Sequence, residues 1–346
     1  MKTIYSDRHT LHNPSLQLRP GSFGDYQEVP KRAFYIRDAI SDRGLGAGVA
    51  PQDFSLTPVL AVHDEAYVAF LQDAYAAWER IEPRIPGDAF ADCFNVQHRD
   101  SPPPQDIHGR LGFYTADGYV PITATSWEAI RESAFVALTA QAAITAGDSS
   151  AFALCRPPGH HATRRVAAGY CFLNNAAIAA QAFIDRGAKR VAVLDVDYHH
   201  GNGTQDIFYD RDDVLFVSIH GDPAFEYPFF CGYAGERGRG KGEGFTINYP
   251  LPMETGFGVY SEALADAVTR ITQYGPDTLV VSLGVDTYND DPMSHFLLET
   301  DDFLKMGAAI GKLAMPVLFV MEGGYAVADV GHNVVNVLTG LLDRRA

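Results

Sequence analysis

From about residue 125 to the C-terminus, apolar runs of strand length alternate with stretches of helical periodicity. The runs are Ala151–Leu154, Arg190–Leu194, Val214–Ile219, Thr278–Leu283 and Val317–Met321. Between them lie Asn174–Arg186, Val259–Tyr274, Asp302–Leu313 and Val327–Leu342. Leu264, Val268 and Ile271 keep a helical spacing, as do Phe303, Met306, Ile310 and Leu313. Continuous β-rich runs have no polar face, so both sides of the sheet must be covered. The alternation predicts an α/β fold with a mostly parallel sheet and helices on both faces. A further strand at Val59–Val62 and a helix from Glu65 are expected to join it.

Each apolar run is followed by a polar cluster. These are Arg156–His161 (RPPGHH), Asp195–Asn202 (DVDYHHGN), Ser218–Asp222 (SIHGD), Asp286 after VVSLGV, and Glu322–Tyr325 (EGGY). One such cluster is usually an N-cap or a turn. Five of them, rich in His, Asp and Tyr, point to one functional edge. In an open α/β sheet ligands bind beyond the carboxyl ends of the strands.

Side chains at i, i+2 and i+4 of a strand share a face. Asp195, Asp197 and His199 would therefore converge as two carboxylates and an imidazole, with Asp286 able to add another carboxylate. Such a set suits catalytic zinc with an open position, and also manganese or ferrous iron. His200 falls on the opposite face and reads as structural. Consecutive His160 and His161 sit after Pro157-Pro158-Gly159, whose backbone is restricted at the prolines and free at the glycine. Two adjacent imidazoles suit general acid–base work. Tyr325, after two glycines, suits a donor to a developing oxyanion. Gly169–Phe172 (GYCF) could line a narrow channel with Tyr227 and Phe230, or simply pack.

Other features exclude rather than assign. The formal charge of −16 disfavours nucleic acid as a partner and favours small cations. Cys93, Cys155, Cys171 and Cys231 show no CxxC pair, which fits reduced thiols and the cytoplasm. No run is long and apolar enough to span a membrane. The Gly-rich stretch Gly232–Gly244 reads as a loop rather than a phosphate cradle. Residues 80–125 carry five prolines within Pro83–Pro104 and no clear period, and read as a long surface excursion.

The motifs RPPGHH, GYCFLNN, LDVDYHHGNGTQDIFY, SIHGDP, SLGVD and MEGGY occur in an order that resembles the zinc-dependent deacetylases, the superfamily of histone deacetylases and acetylpolyamine amidohydrolases. The resemblance runs from the VHDEAY segment to the C-terminal helix, and the excursion resembles the acetylpolyamine branch most. It implies an arginase/deacetylase-like three-layer fold as one domain over residues 1–346. It also implies zinc, or Fe2+, on Asp197, His199 and Asp286. His160 and His161 would be the acid–base pair, held by Asp195 and Asn202 respectively. Tyr325 would polarise the scissile carbonyl. Gly169, Tyr170 and Tyr227 would grip the substrate stem. A structural K+ or Na+ would lie among Asp195, Asp197, His199, Ser218 and Ile219. The excursion would build a homodimer and narrow the site entrance. Two family glutamates that read a distant ammonium align with His108 and Tyr119, with Asp106 and Asp117 two residues away as possible substitutes.

The implied reaction is hydrolysis of a small, cationic N-acetylated amine, such as an acetylpolyamine, acetylputrescine or acetylcadaverine, to acetate and free amine. The alternatives are a protein acetyl-lysine deacetylase, a dimanganese ureohydrolase and a non-catalytic binding protein. The ureohydrolase would need further Asp/His ligands. The binding protein would be expected to lack a ligand, the His pair or the tyrosine, and none is missing.

Overall fold

The computed structural model describes residues 1–19, 21–46, 48–83, 85–96 and 101–346. The chain opens with β1 (Lys2–Ile4), a 3-10 turn at Asp7–Leu11, the hairpin strands β2 (Leu16–Arg19) and β3 (Ser22–Asp25), α1 (Lys31–Asp42) and β4 (Gly48–Val49). Four helices follow: α2 (Thr57–Leu60), α3 (Glu65–Trp78), α4 (Ile107–Tyr114) and α5 (Ser126–Thr145). Strands and helices then alternate: β5 (Ser150–Ala153), α6 (Asn175–Asp185), β6 (Val191–Asp195), α7 (Asn202–Phe208), β7 (Val214–Gly221) and β8 (Thr246–Leu251). The chain closes with α8 (Phe257–Tyr274), β9 (Thr278–Leu283), α9 (Thr300–Ile310), β10 (Val317–Met321) and α10 (Val330–Arg345).

Eight strands form one sheet in the order β4-β1-β5-β10-β9-β6-β7-β8, and every pairing in it is parallel. All carboxyl ends therefore lie on one edge. Successive residues of a strand feed opposite cores. Val191 and Val193 of β6 pack with residues of α5 and α6, while Ala192 and Leu194 pack with residues of α8, α9 and α10. This is the three-layer arrangement. Phe319, at the centre of β10, is fully buried. Phe319→Ala should cost about 3–5 kcal/mol, seen as a lower denaturant midpoint. A cost under about 1 kcal/mol would mean that the site collapses around the gap.

Two helix ends are written in the sequence. Gly275, at φ 62, closes α8 in the left-handed conformation. Glu299 and Asp302 form a reciprocal capping box at the start of α9.

Two expectations need correction. Val59–Val62 is not a strand; Thr57–Leu60 is helical. Val59 and Val62 are three residues apart and both enter the same core, which is a helical spacing. The stretch 80–125 is not wholly a surface excursion. Within it, α4 buries Ile107, Leu111 and Tyr114, and Ala89 bridges Ile122. The four cysteines are free. No helix of the described residues is long and apolar enough to cross a membrane.

Candidate active site

Side chains that follow four strands, β5, β6, β9 and β10, meet beyond the sheet. After β6 the chain turns through Asp197 and His199, and after β9 it reaches Asp286. Ligand atoms of these three residues lie within 4.8 Å of one another, and all three are buried. His199 Nδ1 is 3.0 Å from Asp286 Oδ2 and 3.3 Å from Asp197 Oδ1. Backbone donors aim the carboxylates: Gly323 N–H donates to Asp197 Oδ2 at 2.7 Å, and Tyr198 N–H to Asp286 Oδ1 at 2.8 Å. Two glycines make room for them. A Cβ at Gly284 would come within 2.1 Å of Asp197 Oδ2, and one at Gly323 within 2.4 Å of Asp286 Oδ2.

Two buried carboxylates side by side call for a positive charge. Burial and the charge of Asp197 both raise the Asp286 pKa. Burial opposes protonation of His199, yet hydrogen bonds and charge from Asp197 and Asp286 lift it to about 10. The protein has thus gathered the donor set and charge deficit that a divalent cation fits.

The tandem histidines leave β5 through a tight turn. At Gly159 a Cβ would sit 2.5 Å from Asn175 N, so only glycine fits. Glu322 Oε2 accepts from Gly159 N–H at 2.7 Å and His160 N–H at 3.1 Å, tying this turn to the end of β10. His160 Nδ1 is 3.0 Å from Asp195 Oδ2, and His161 Nδ1 is 2.7 Å from Asn202 Oδ1. An ionised carboxylate and an amide oxygen only accept, so each Nδ1 is the donor and each Nε2 is left free. His160 Nε2 lies 3.8 Å from Asp197 Oδ1, facing the ligand cluster. The two environments push the rings apart. Burial opposes a charge on His160, but Asp197 and Asp195 outweigh it and raise its pKa. Burial, with the neighbouring imidazoles, holds His161 well below the ordinary range.

Tyr325 is buried, and burial raises its phenol pKa, so the hydroxyl keeps its proton. Its backbone is pinned by Asp291, whose Oδ2 accepts from the N–H groups of Tyr325 (2.5 Å) and Ala326 (3.0 Å). The Arg32 guanidinium lies 4.7 Å from the Tyr325 ring centroid and donates to the carbonyls of Gly324 and Glu322 at 2.6 Å each. Arg32 is itself paired with buried Glu28 at 2.6 Å. Asp291, Arg32 and Glu28 were not singled out in the sequence. Their partners lie up to 292 residues away, and no local pattern announces them.

Aromatic rings cluster beside His161 and Tyr325. The Tyr227 ring stands edge-on to His161 at 5.0 Å, and Tyr170 lies 5.5 Å from Tyr325. Tyr119 stands 5.5 Å from Tyr170 and 6.1 Å from Tyr227. Ser218 pairs with Asp195 across β6 and β7, next to Ile219. The His200 ring lies tilted against His220 at 4.6 Å, and both are buried.

Three residues offered for a distant ammonium are placed otherwise. His108 packs against Trp78 at 5.6 Å and faces Asp92 at 3.8 Å. Asp106 caps α4 by accepting from His108 N–H. Asp117 accepts from Gly169 N–H, Tyr119 N–H and Tyr227 O–H, so its oxygens serve the protein.

Comparison with known proteins agrees with this layout. Residues 26–341 match the model of the histone deacetylase domain. The chain is 54% identical over 342 residues to acetylpolyamine amidohydrolase 1 of Pseudomonas aeruginosa, covering 98% of each. It is 46% identical over 341 residues to the acetylpolyamine amidohydrolase of Mycoplana ramosa, covering 99% of each. It superposes on the crystal structure of an acetylpolyamine aminohydrolase from Burkholderia pseudomallei with a TM-score of 0.96 at 40% identity, covering 100% of both chains. The fold is thus of the arginase/deacetylase type, and the chain belongs to the acetylpolyamine amidohydrolase branch of the histone deacetylase family, whose members are amide-hydrolysing deacetylases.

Proposed function

We propose that this protein removes the acetyl group from small N-acetylated primary amines, acetylpolyamines or acetylated diamines, using a zinc ion held by Asp197, His199 and Asp286. The observation that carries the reading is the buried Asp–His–Asp cluster beside two oppositely tuned imidazoles and a protonated tyrosine. When bound, zinc supplies a Lewis acid and an acidified water.

The remaining work falls to side chains. Asp195 and Asn202 keep Nδ1 of His160 and His161 protonated and leave Nε2 of each ring to take or give a proton. One imidazole accepts the proton from the attacking water while the other feeds the departing amine. The Tyr325 hydroxyl donates to the oxyanion as it develops. Tyr170 and Tyr227 flank the methylene stem, and Gly169 offers its carbonyl to the amide. Dialysis against a chelator should abolish turnover, and one equivalent of Zn2+, or Fe2+ under anaerobic conditions, should restore it. Undiminished turnover after complete metal removal would reject the metal-dependent reading.

The tuning of His161 has a pH signature. Asn202→Asp places a carboxylate 2.7 Å from His161 Nδ1, which favours the imidazolium. Its pKa should rise by about 1–3 units, so the acid limb of the kcat/KM profile moves to higher pH. An unmoved limb would show that Asn202 does not set the protonation of His161.

We also place K+ or Na+ among Asp195, Asp197, His199, Ser218 and Ile219. Equal activity in potassium and tetramethylammonium buffers would discard that site. Exposed Ile85 and Val96 in the excursion suit a partner copy, and we expect a homodimer. Sedimentation at the mass of one 37.7 kDa chain would discard it. Four free thiols suit the cytoplasm.

A further inference from the structure

We infer that Asp117 is a positioning residue that sets the width of the substrate tunnel by holding its separate walls together. The inference rests on the reading that an acetylated stem threads between Tyr170 and Tyr227.

The walls come from distant parts of the chain. Gly169 and Tyr170 precede α6, Tyr227 follows β7, and Tyr119 lies between α4 and α5. None of them is in a regular element. A bridge between Thr115 and Ala167 sets the segments that carry Tyr119 and Gly169 side by side, and Asp117 joins Tyr227 to them. Its Oδ2 accepts from Gly169 N–H at 2.9 Å and from Tyr227 O–H at 2.6 Å, and its Oδ1 accepts from Tyr119 N–H at 2.9 Å. One carboxylate thus ties its own segment, which carries Tyr119, to the walls at Gly169 and Tyr227.

The local backbone needs this support. Gly169 and Tyr170 are consecutive residues in the left-handed region, at φ 50 and φ 68. That conformation is costly for tyrosine and persists only where surroundings over-determine it. The margin is narrow: a Cβ on Gly169 would lie 2.3 Å from the His161 ring and 3.0 Å from the Tyr227 hydroxyl. A small shift of Gly169 or Tyr227 would therefore move the tunnel wall against His161. Asp117 forms no ion pair among the described residues. Burial raises its pKa, and the three donors oppose that rise. A carboxylate matched only to neutral donors has no other charge to serve, which fits a clamp.

The test separates stem binding from metal binding. Inhibition of the zinc-loaded enzyme is measured with acetohydroxamate, which reaches the ion without a stem, and with hexanohydroxamate, whose neutral chain fills the tunnel. In Asp117→Asn one of the three donors must face an amide N–H, and in Tyr227→Phe the hydroxyl link is gone. Both variants should weaken hexanohydroxamate by about tenfold, while acetohydroxamate stays within about twofold. The double variant should lose little more than Asp117→Asn alone, because the two act through one link. Wild-type affinity for hexanohydroxamate in both single variants would overturn the inference, as would equal losses for the two hydroxamates. If wild-type enzyme loaded with zinc releases no acetate from acetylputrescine, the deacetylase reading itself fails and takes the clamp with it. Thermal unfolding of Tyr227→Phe guards against a folding defect in Asp117→Asn.

Discussion

Asp286→Ala is expected to lose its divalent ion and to retain less than about one-hundredth of wild-type turnover. The argument is geometric. Asp286 is fully buried at the end of β9, its Oδ1 fixed by Tyr198 N–H and its Oδ2 turned to His199. Losing a group that merely orients a ligand costs about 10–100-fold in metal affinity, and losing one of three protein ligands should cost more. The fold should survive. Without an ion, Asp286 repels Asp197 within the same buried cluster, so its removal relieves a like-charge contact. The readouts are metal content after gel filtration and thermal unfolding of the metal-free proteins. Full occupancy in the variant would remove Asp286 from the ligand set.

Tyr325→Phe should behave differently, keeping its metal but lowering kcat by about 10²–10³-fold. Only an oxygen is removed, and the ring stays packed beneath Arg32 and against Tyr170. The Asp291 bonds to the Tyr325 and Ala326 backbone do not depend on the side chain. The change therefore isolates the donor proposed to act when charge develops on the carbonyl oxygen. KM should move little, since the proposed reading assigns ground-state binding to Gly169, Tyr170 and Tyr227. Unchanged kcat would end the oxyanion role of Tyr325.

The candidate site is legible in the sequence because its residues sit immediately after strands whose apolar runs are unmistakable. His160, Asp197, Asp286 and Tyr325 each follow such a run by a few positions. Other parts left weaker marks. Helix α5 buries 14 residues around its circumference, so it shows little amphipathic contrast. Strand β1 has only three residues and takes its meaning from β5 and β4. Val59 and Val62 resemble a strand until Pro58 opens a helical turn. Asp117 reads in the sequence as a partner for ammonium because charge is visible there. Its partners, 52 and 110 residues away, are not.

The most direct test of the proposed function is acetate release by the zinc-loaded enzyme. Acetylputrescine, acetylcadaverine, acetylspermidine, acetylspermine and an acetyl-lysine peptide would be compared at matched concentrations. The rings of Tyr119, Tyr170 and Tyr227 cluster, with Tyr119 5.5 Å from Tyr170 and 6.1 Å from Tyr227, and in the proposed reading they leave a narrow passage for the stem. The account predicts that kcat/KM for at least one small acetylated amine exceeds that for the peptide by tenfold or more, with the diamines favoured over the longer polyamines. A preference for the peptide would contradict it, and would mean that the mouth of the tunnel admits a protein chain.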